Sequence, residues 1–138
     1  MKFDKSKKIL VIGRAGMDIY PEPPGTKISD VQEFSTHLGG SAANTCVALS
    51  KLGVSSDLVT CISDDAIGEY IFKKLEDFNV GSNLCRKVDK KFQTQVAVVE
   101  TILKNNQSIL YRNNSCDLQL DKEDIDKINF QDLSLIHI

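Results

Sequence analysis

Residues 38–53 read LGGSAANTCVALSKLG, a glycine pair followed by a pattern typical of a helix. Small and apolar residues recur at helical spacing, and they place one buried stripe on Ala42, Cys46 and Leu49. Ser41 is of the type that caps helix N-termini, and Gly53 stands where a left-handed residue commonly ends a helix. The stretch therefore predicts a helix over 41–52 that packs on one face.

The glycine pair in front of this helix favours close contact with a ligand. Gly39 and Gly40 carry no Cβ, and the free amides of the first helical turn can donate to an anion or a hydroxyl. No Lys-Ser or Lys-Thr pair follows, which excludes a Walker phosphate loop. Asn44 offers donors and an acceptor, which suits a polyhydroxylated ligand. The alternative for Asn44 is that it merely caps or ties a loop.

The segments on either side of this stretch alternate between strand and helix. An apolar run over 8–12 ends at Gly13, a second run spans 57–62, and a helical pattern covers 66–78. This order predicts an α/β fold with a mostly parallel sheet and right-handed crossovers. Asp18 comes just beyond the first strand, where open α/β sheets bind ligands, although it could equally be a solvated turn residue.

The remaining elements predict a second, smaller sheet. Strand patterns over 95–100 and 108–112 flank a polar turn at 104–107, as in a hairpin. Together with an irregular or short-strand excursion over 26–37, they could form a separate sheet beside the parallel one. A short amphipathic helix at 121–128 and an apolar strand at 133–138 follow. Because buried parallel strands normally lead into covering helices, we expect the chain to be the N-terminal part of a longer protein.

Two further polar features have competing interpretations. Asp64 and Asp65 could be a catalytic carboxylate pair, but the preferred interpretation is that an aspartate caps the N-terminus of the following helix. Arg112 ends a strand and could bind a carboxylate through two hydrogen bonds, or it could be a surface arginine on a hairpin. Nothing near His37 or His137 has metal-ligand spacing, and we expect no metal site.

Composition excludes several classes of partner. The 138 residues are 41% hydrophobic and 26% charged, as in globular proteins, and a net charge of −2 with dispersed basic residues argues against nucleic acid. No apolar run is long enough for a signal peptide or a membrane span. The four cysteines are far apart and form no CxxC pair, which favours reduced thiols and a cytoplasmic protein.

Four motifs taken in order resemble the ribokinase-like (PfkB) carbohydrate kinases. They are GRAGMD at 13–18, GGSAAN at 39–44 with its helix to Gly53, SDDAIG at 63–68, and YRNN at 111–114. The resemblance runs the whole length of the chain. It implies one ribokinase-like domain, residues 1–138, whose mostly parallel sheet is flanked by helices, with the C-terminal half absent. It also implies a small β-sheet lid with strands near 20–37 and 84–112, through which the full-length protein would form a homodimer.

The same resemblance implies an ATP-dependent kinase, with ATP and Mg²⁺ bound mostly outside these residues. The implied substrate is a keto-deoxy sugar acid, 5-dehydro-2-deoxygluconate of inositol catabolism first and 2-keto-3-deoxygluconate second. The implied substrate-binding residues are Asp18, Gly39, Gly40, Asn44 and, for the carboxylate, Arg112. The family's catalytic aspartate would lie beyond Ile138, so this chain alone is expected to be inactive. The alternatives are another sugar kinase of this fold or a stand-alone, non-catalytic sugar-binding or dimerisation module.

Overall fold

The computed structural model describes residues 7–138, which form strands and helices in alternation. The strands are β1 (Lys8–Ile12), β2 (Gly16–Glu22), β3 (Glu33–Gly39), β4 (Ser56–Ser63), β5 (Cys85–Val88), β6 (Val96–Val99), β7 (Ser108–Tyr111) and β8 (Leu133–His137). The helices are α1 (Ser41–Lys51), α2 (Ala66–Asp77) and α3 (Lys122–Asp126), with 3₁₀ turns at Ile28–Asp30, Cys116–Gln119 and Phe130–Asp132. None of the helices in this part of the chain has the length and hydropathy to span a bilayer.

The first sheet has the strand order β5-β4-β1-β8, and each neighbouring pair is parallel. Its central strands β1 and β4 are continuous apolar runs because both of their faces are covered. On one face, Val11 and Leu58 pack with Cys46 of α1 and Ile71 of α2. On the other face, Leu10 and Val59 pack with Ile125 of α3 and Ile128 just beyond it. The predicted parallel α/β architecture is confirmed.

The second sheet has the order β3-β2-β6-β7. β2 and β3 pair antiparallel from Gly16 opposite Gly39 to Glu22 opposite Glu33, and β6 joins β2 in parallel. β6 and β7 form the predicted antiparallel hairpin. A separate small sheet beside the parallel one is therefore confirmed, and its first strand already begins at Gly16.

The predicted lid segment 84–112 needs a correction. Cys85–Val88 pairs in parallel with β4 and belongs to the first sheet, so it is no part of the second sheet. The strand is only four residues long, and its sequence CRKV lacks an apolar run. Its pairing with β4 comes from tertiary contacts, which local pattern does not report.

The N-terminus of α1 also differs from the prediction. Ser41 is the first helical residue, and the cap position is held by Gly40, whose φ of 95° is one that glycine adopts readily. No side chain caps this end, so the prediction of Ser41 as N-cap is wrong. The predicted end of the helix is confirmed, because Gly53 follows it with a φ of 73°.

The second helix begins as predicted. Asp65 is its N-cap, and the carboxylate accepts a hydrogen bond of 2.9 Å from the backbone N–H of Gly68. Asp64 makes a 3.1 Å salt bridge with Lys87. The capping interpretation of this acidic pair is therefore confirmed.

Candidate functional site

A cavity of about 310 Å³ lies where the second sheet meets the first turn of α1. Three of the predicted site residues line it, namely Asp18, Gly40 and Asn44. Its other polar lining comes from Arg14, Ser41, Gln95 and Ser108, and the strands β6 and β7 add apolar side chains. The cavity is thus mixed in character, with several polar groups converging on one space, as in small-molecule sites.

Asp18 reaches the cavity from β2, between His37 of β3 and Ala97 of β6 in the strand register. Burial raises the pKa of its carboxyl group, and the effect outweighs a hydrogen bond from Tyr20 and the nearby charge of Arg14, which lower it. The Tyr20 hydroxyl donates at 3.4 Å, which is long for an O–H···O bond. Most of the hydrogen-bonding capacity of the carboxylate therefore remains for a ligand.

The two glycines position this carboxylate and the helix beside it. A Cβ on Gly39 would overlap the Asp18 carboxylate, which packs directly against the glycine backbone. A Cβ on Gly40 would lie 2.5 Å from the carbonyl oxygen of Arg14, in addition to requiring a strained φ. Close packing on both sides accounts for the glycine pair, and it brings α1 up to the end of β1.

Asn44 lies in the first turn of α1, with its backbone N–H donating to the Gly40 carbonyl at 2.9 Å. Its side chain is exposed to the cavity, and within residues 7–138 it makes no hydrogen bond that would cap or tie a loop. The carboxamide is thus positioned to donate to and accept from a ligand. The structure brings Asp18, Gly40 and Asn44 together, with Gly39 in direct contact behind Asp18.

Arg112 does not line this cavity. Its guanidinium pairs with Asp117, with 2.5 Å between Nη2 and Oδ2 and 3.2 Å between Nε and the same oxygen. Burial opposes ionisation of Asp117, but hydrogen bonds from Arg112 and Ser115 outweigh it and lower the pKa of that carboxyl. The guanidinium is about one-third exposed. The role of Arg112 in substrate binding stays a prediction.

Two residues that line the cavity were not predicted from the sequence as site residues. Arg14 follows β1 in the turn between Gly13 and Gly16, and Gln95 precedes β6. Gln95 is 3% exposed although it is polar. Arg14 could have been predicted as a cavity residue, because it follows β1 at the strand end on which the prediction for Asp18 depended. For Gln95 no local pattern indicates burial, because the residue is covered by contacts with Gly16 and Met17 of β2, which are far away in sequence.

The chemistry of these residues suits hydroxyl groups better than a metal ion. Among residues 7–138, no cluster of three or more His, Cys, Asp or Glu side chains could hold a cation. The described residues therefore do not offer a ligand set for the Mg²⁺ that the resemblance implies.

Comparison with known proteins identifies the family. The model of the pfkB family carbohydrate kinases matches residues 6–138. The chain belongs to this family. It is 33% identical over 123 residues to a 5-dehydro-2-deoxygluconokinase of Photobacterium profundum and 32% identical over 130 residues to one of Clostridium perfringens. These matches cover 89% and 92% of this chain but only 37% and 38% of the two relatives, respectively.

Two solved structures have the same fold as this member of the pfkB family. A 2-dehydro-3-deoxygluconokinase of Thermotoga maritima matches with a TM-score of 0.83 at 20% identity, covering 95% of this chain and 40% of that protein. An uncharacterized sugar kinase of Pyrococcus horikoshii matches with a TM-score of 0.74 at 30% identity, covering 88% and 40%. The latter has also been solved in complex with ATP.

Proposed function

We propose that this chain supplies the sugar-binding part of an ATP-dependent kinase that acts on a keto-deoxy sugar acid. The observation that carries the proposal is the meeting of Asp18, Gly40 and Asn44 at one cavity. A carboxylate and a carboxamide can together accept from and donate to adjacent hydroxyls, and the glycines allow close approach. The preferred substrate is 5-dehydro-2-deoxygluconate, whose phosphorylation is a step of inositol catabolism. Two relatives about one-third identical to this chain are named 5-dehydro-2-deoxygluconokinase, which supports this choice.

In this proposal the chain binds and orients the sugar. Asp18 and Asn44 hold hydroxyl groups, and the apolar side chains of β6 and β7 line one side of the cavity. Fixing the sugar in one pose would lower the barrier to phosphoryl transfer, since positioning is most of what such enzymes contribute. Asp18 is not assigned as the general base, because the resemblance places that residue elsewhere.

Two accompanying proposals concern assembly and compartment. Phe34, Ile109 and Tyr111 are exposed on the face of the second sheet opposite the cavity, which supports a homodimer formed through this sheet, the proposed lid. All four cysteines are free, and three of them are buried, which suits a reducing compartment such as the cytoplasm. Dimerisation is tested by sedimentation of the full-length product with and without Tyr111→Lys, which is expected to give monomer.

The function is tested by a coupled ATP-consumption assay on the full-length product of the reading frame that encodes this chain. The sugars offered are 5-dehydro-2-deoxygluconate, 2-keto-3-deoxygluconate, fructose and ribose. We expect turnover of an acid sugar and a loss of roughly 100-fold or more in kcat/KM for Asp18→Asn, because an ionised carboxylate in a partly buried site is a strong hydrogen-bond acceptor. Asp77→Asn, an exposed aspartate in the last turn of α2, is the matched control.

Each alternative has its own outcome in this assay. Turnover of 2-keto-3-deoxygluconate alone, or of a neutral sugar, would keep the kinase and replace the substrate. Sugar binding by calorimetry without any ATP consumption would support a non-catalytic sugar-binding module. Neither binding nor turnover with any of the four sugars would contradict the proposal.

A further inference from the structure

Unpartnered polar atoms concentrate at one place in this molecule. Within residues 7–138 three buried side-chain nitrogen or oxygen atoms lack a hydrogen-bond partner: Nε of Arg14, Oε1 of Gln95 and the hydroxyl of Tyr70. Arg14 and Gln95 both line the cavity that holds Asp18 and Asn44. Buried polar groups are normally paired, so two unpaired ones in the same cavity indicate a ligand that pairs with them.

Arg14 is held at the cavity by its backbone. Its carbonyl oxygen accepts from the N–H of Ala43 at 3.3 Å and is packed against Gly40. In the described part of the chain its guanidinium makes no salt bridge, in contrast to Arg86 and Arg112, which each pair with an aspartate. Arg14 is also the single Lys or Arg among the described residues that line this cavity.

Gln95 is held from two sides. Its carbonyl oxygen accepts from the N–H of Met17 at 3.0 Å, and its side chain is packed so closely against Gly16 that a Cβ there would overlap it. With 3% of its surface exposed, the residue is almost wholly shielded from bulk water. Because Gln95 lines the cavity, a ligand bound there is a source of the missing partner for Oε1.

The charges of the cavity decide which group meets Arg14. A sugar acid brings a carboxylate to a site that already contains the carboxylate of Asp18, and two like charges in a partly buried space repel each other. A guanidinium in the same space offsets that repulsion and matches the planar shape of a carboxylate. A neutral sugar has no such need of a cation.

We infer that Arg14 and Gln95 are further substrate-binding residues that take the acidic end of the sugar. Arg14 donates to the carboxylate, and Gln95 accepts from a neighbouring hydroxyl, while Asp18 and Asn44 hold the hydroxyls at the other end. The inference rests on the proposed function, because it takes the substrate to be a sugar acid.

The test uses the full-length product and compares KM and kcat for 5-dehydro-2-deoxygluconate, 2-keto-3-deoxygluconate, fructose and ribose. Arg14→Gln is expected to raise KM for the acid sugars roughly 10- to 100-fold, since a charged hydrogen bond is lost, with neutral sugars changed by less than about 3-fold. Arg14→Lys should recover part of the loss. Lys87→Gln removes the same charge from an exposed site on β5 and should change neither constant.

Gln95→Leu separates binding from a structural role. Replacing an unpaired buried carboxamide by a side chain of similar shape should keep or raise the melting temperature, while KM for the acid sugar rises roughly 10-fold. A carboxamide that only supported the fold would give a lower melting temperature with unchanged KM, and that result would overturn its role.

The failure of this inference differs from the failure of the proposed function. Acid-sugar turnover by the wild type with unchanged KM in Arg14→Gln overturns the inference and keeps the function. Turnover of neutral sugars alone by the wild type overturns the inference together with the sugar-acid substrate of the proposed function, and it keeps the kinase.

Discussion

Asp18 places an ionisable group in a partly buried site, and its function and stability should respond to pH in opposite ways. Burial raises the pKa of its carboxyl above the ordinary value of about 3.9. If the ionised form accepts the hydroxyls of the sugar, KM should rise as pH falls, starting at a higher pH than an unperturbed aspartate would give. The pH dependence of KM for the full-length product measures this, and Asp77→Asn should leave the profile unchanged.

For stability the sign is reversed. A raised pKa means that the folded state holds the proton more tightly than the unfolded state, so the contribution of Asp18 is present below the unfolded pKa and is lost as pH rises through the folded pKa. Asp18→Asn removes the cost of a buried charge at pH 7, and we expect an equal or higher melting temperature together with lost sugar binding. A clear decrease in melting temperature at pH 7 would mean that the carboxylate stabilises the fold.

The two long helices, α1 and α2, begin in different ways, and this gives a matched pair of variants. Asp65→Ala should lower the free energy of unfolding by about 1 kcal/mol, because the cap of α2 is lost. Ser41→Ala should change it by less than about 0.5 kcal/mol, because Ser41 is exposed and caps nothing. Urea unfolding of the full-length variants measures both. Equal losses would restore Ser41 as a cap.

The short strand β5 is tied to the segment around α3 by an ion pair. Arg86 donates to both carboxylate oxygens of Asp124, at 2.6 and 2.8 Å, and to the Gln119 carbonyl at 2.7 Å. The hydrogen bonds from Arg86 are the main cause of a lowered pKa at Asp124, and they outweigh its burial. The contribution of Asp124 to stability is therefore present above about pH 4 and is lost as pH falls through the lowered pKa.

Asp124→Asn should accordingly cost about 1–3 kcal/mol at pH 7, towards the lower end because Arg86 is about one-third exposed. The difference from the wild type should shrink as pH falls from 4 to 2. Asp126→Asn, whose partner Lys122 is fully in solvent, should cost less than about 0.5 kcal/mol. Urea unfolding at several pH values tests this, and a difference that does not depend on pH would contradict the ionic explanation.

In the described structure, β8 forms one edge of the first sheet, and its side chains are only partly covered. Leu135 and Ile136 are successive residues, which point to opposite faces of the sheet, and they are 50% and 41% exposed. An apolar edge strand of this kind invites pairing with another chain. The polypeptide of residues 1–138 should therefore self-associate as its concentration rises.

Ile136→Lys should reduce this association, because a charged side chain on an edge strand opposes pairing. Leu103→Lys is the control, since Leu103 is fully exposed in a loop and belongs to no strand edge. Light scattering over a concentration series measures the difference. If both variants behave alike, the edge of β8 is not the contact.

The two sheets could be predicted from the sequence, except for the short strand β5. The buried runs of β1 and β4 and the stripe of α1 repeat over enough residues to specify the parallel sheet, and the second sheet follows from its hairpin. The four-residue β5 was missed, because its place in the sheet depends on contacts far along the chain. At the site, Asp18 and Asn44 were predicted to bind substrate and the fold places them together, whereas the burial of Gln95 arises only when the start of β2 packs against it.

The chain connections between the two sheets affect how the second sheet can move relative to the first. Three residues connect β1 to β2, and Gly40 alone separates β3 from α1, so the two shortest of the four chain connections between the sheets lie at the cavity. A rotation of the second sheet relative to the first would be restricted most at these two short connections, which would place its axis near the cavity. Asp18, close to the axis, would be displaced little, whereas the far turn around Gly25 would sweep a wide arc. The outer end of the second sheet could thus move aside to admit a ligand, while the distances between the cavity residues near the axis stay nearly the same.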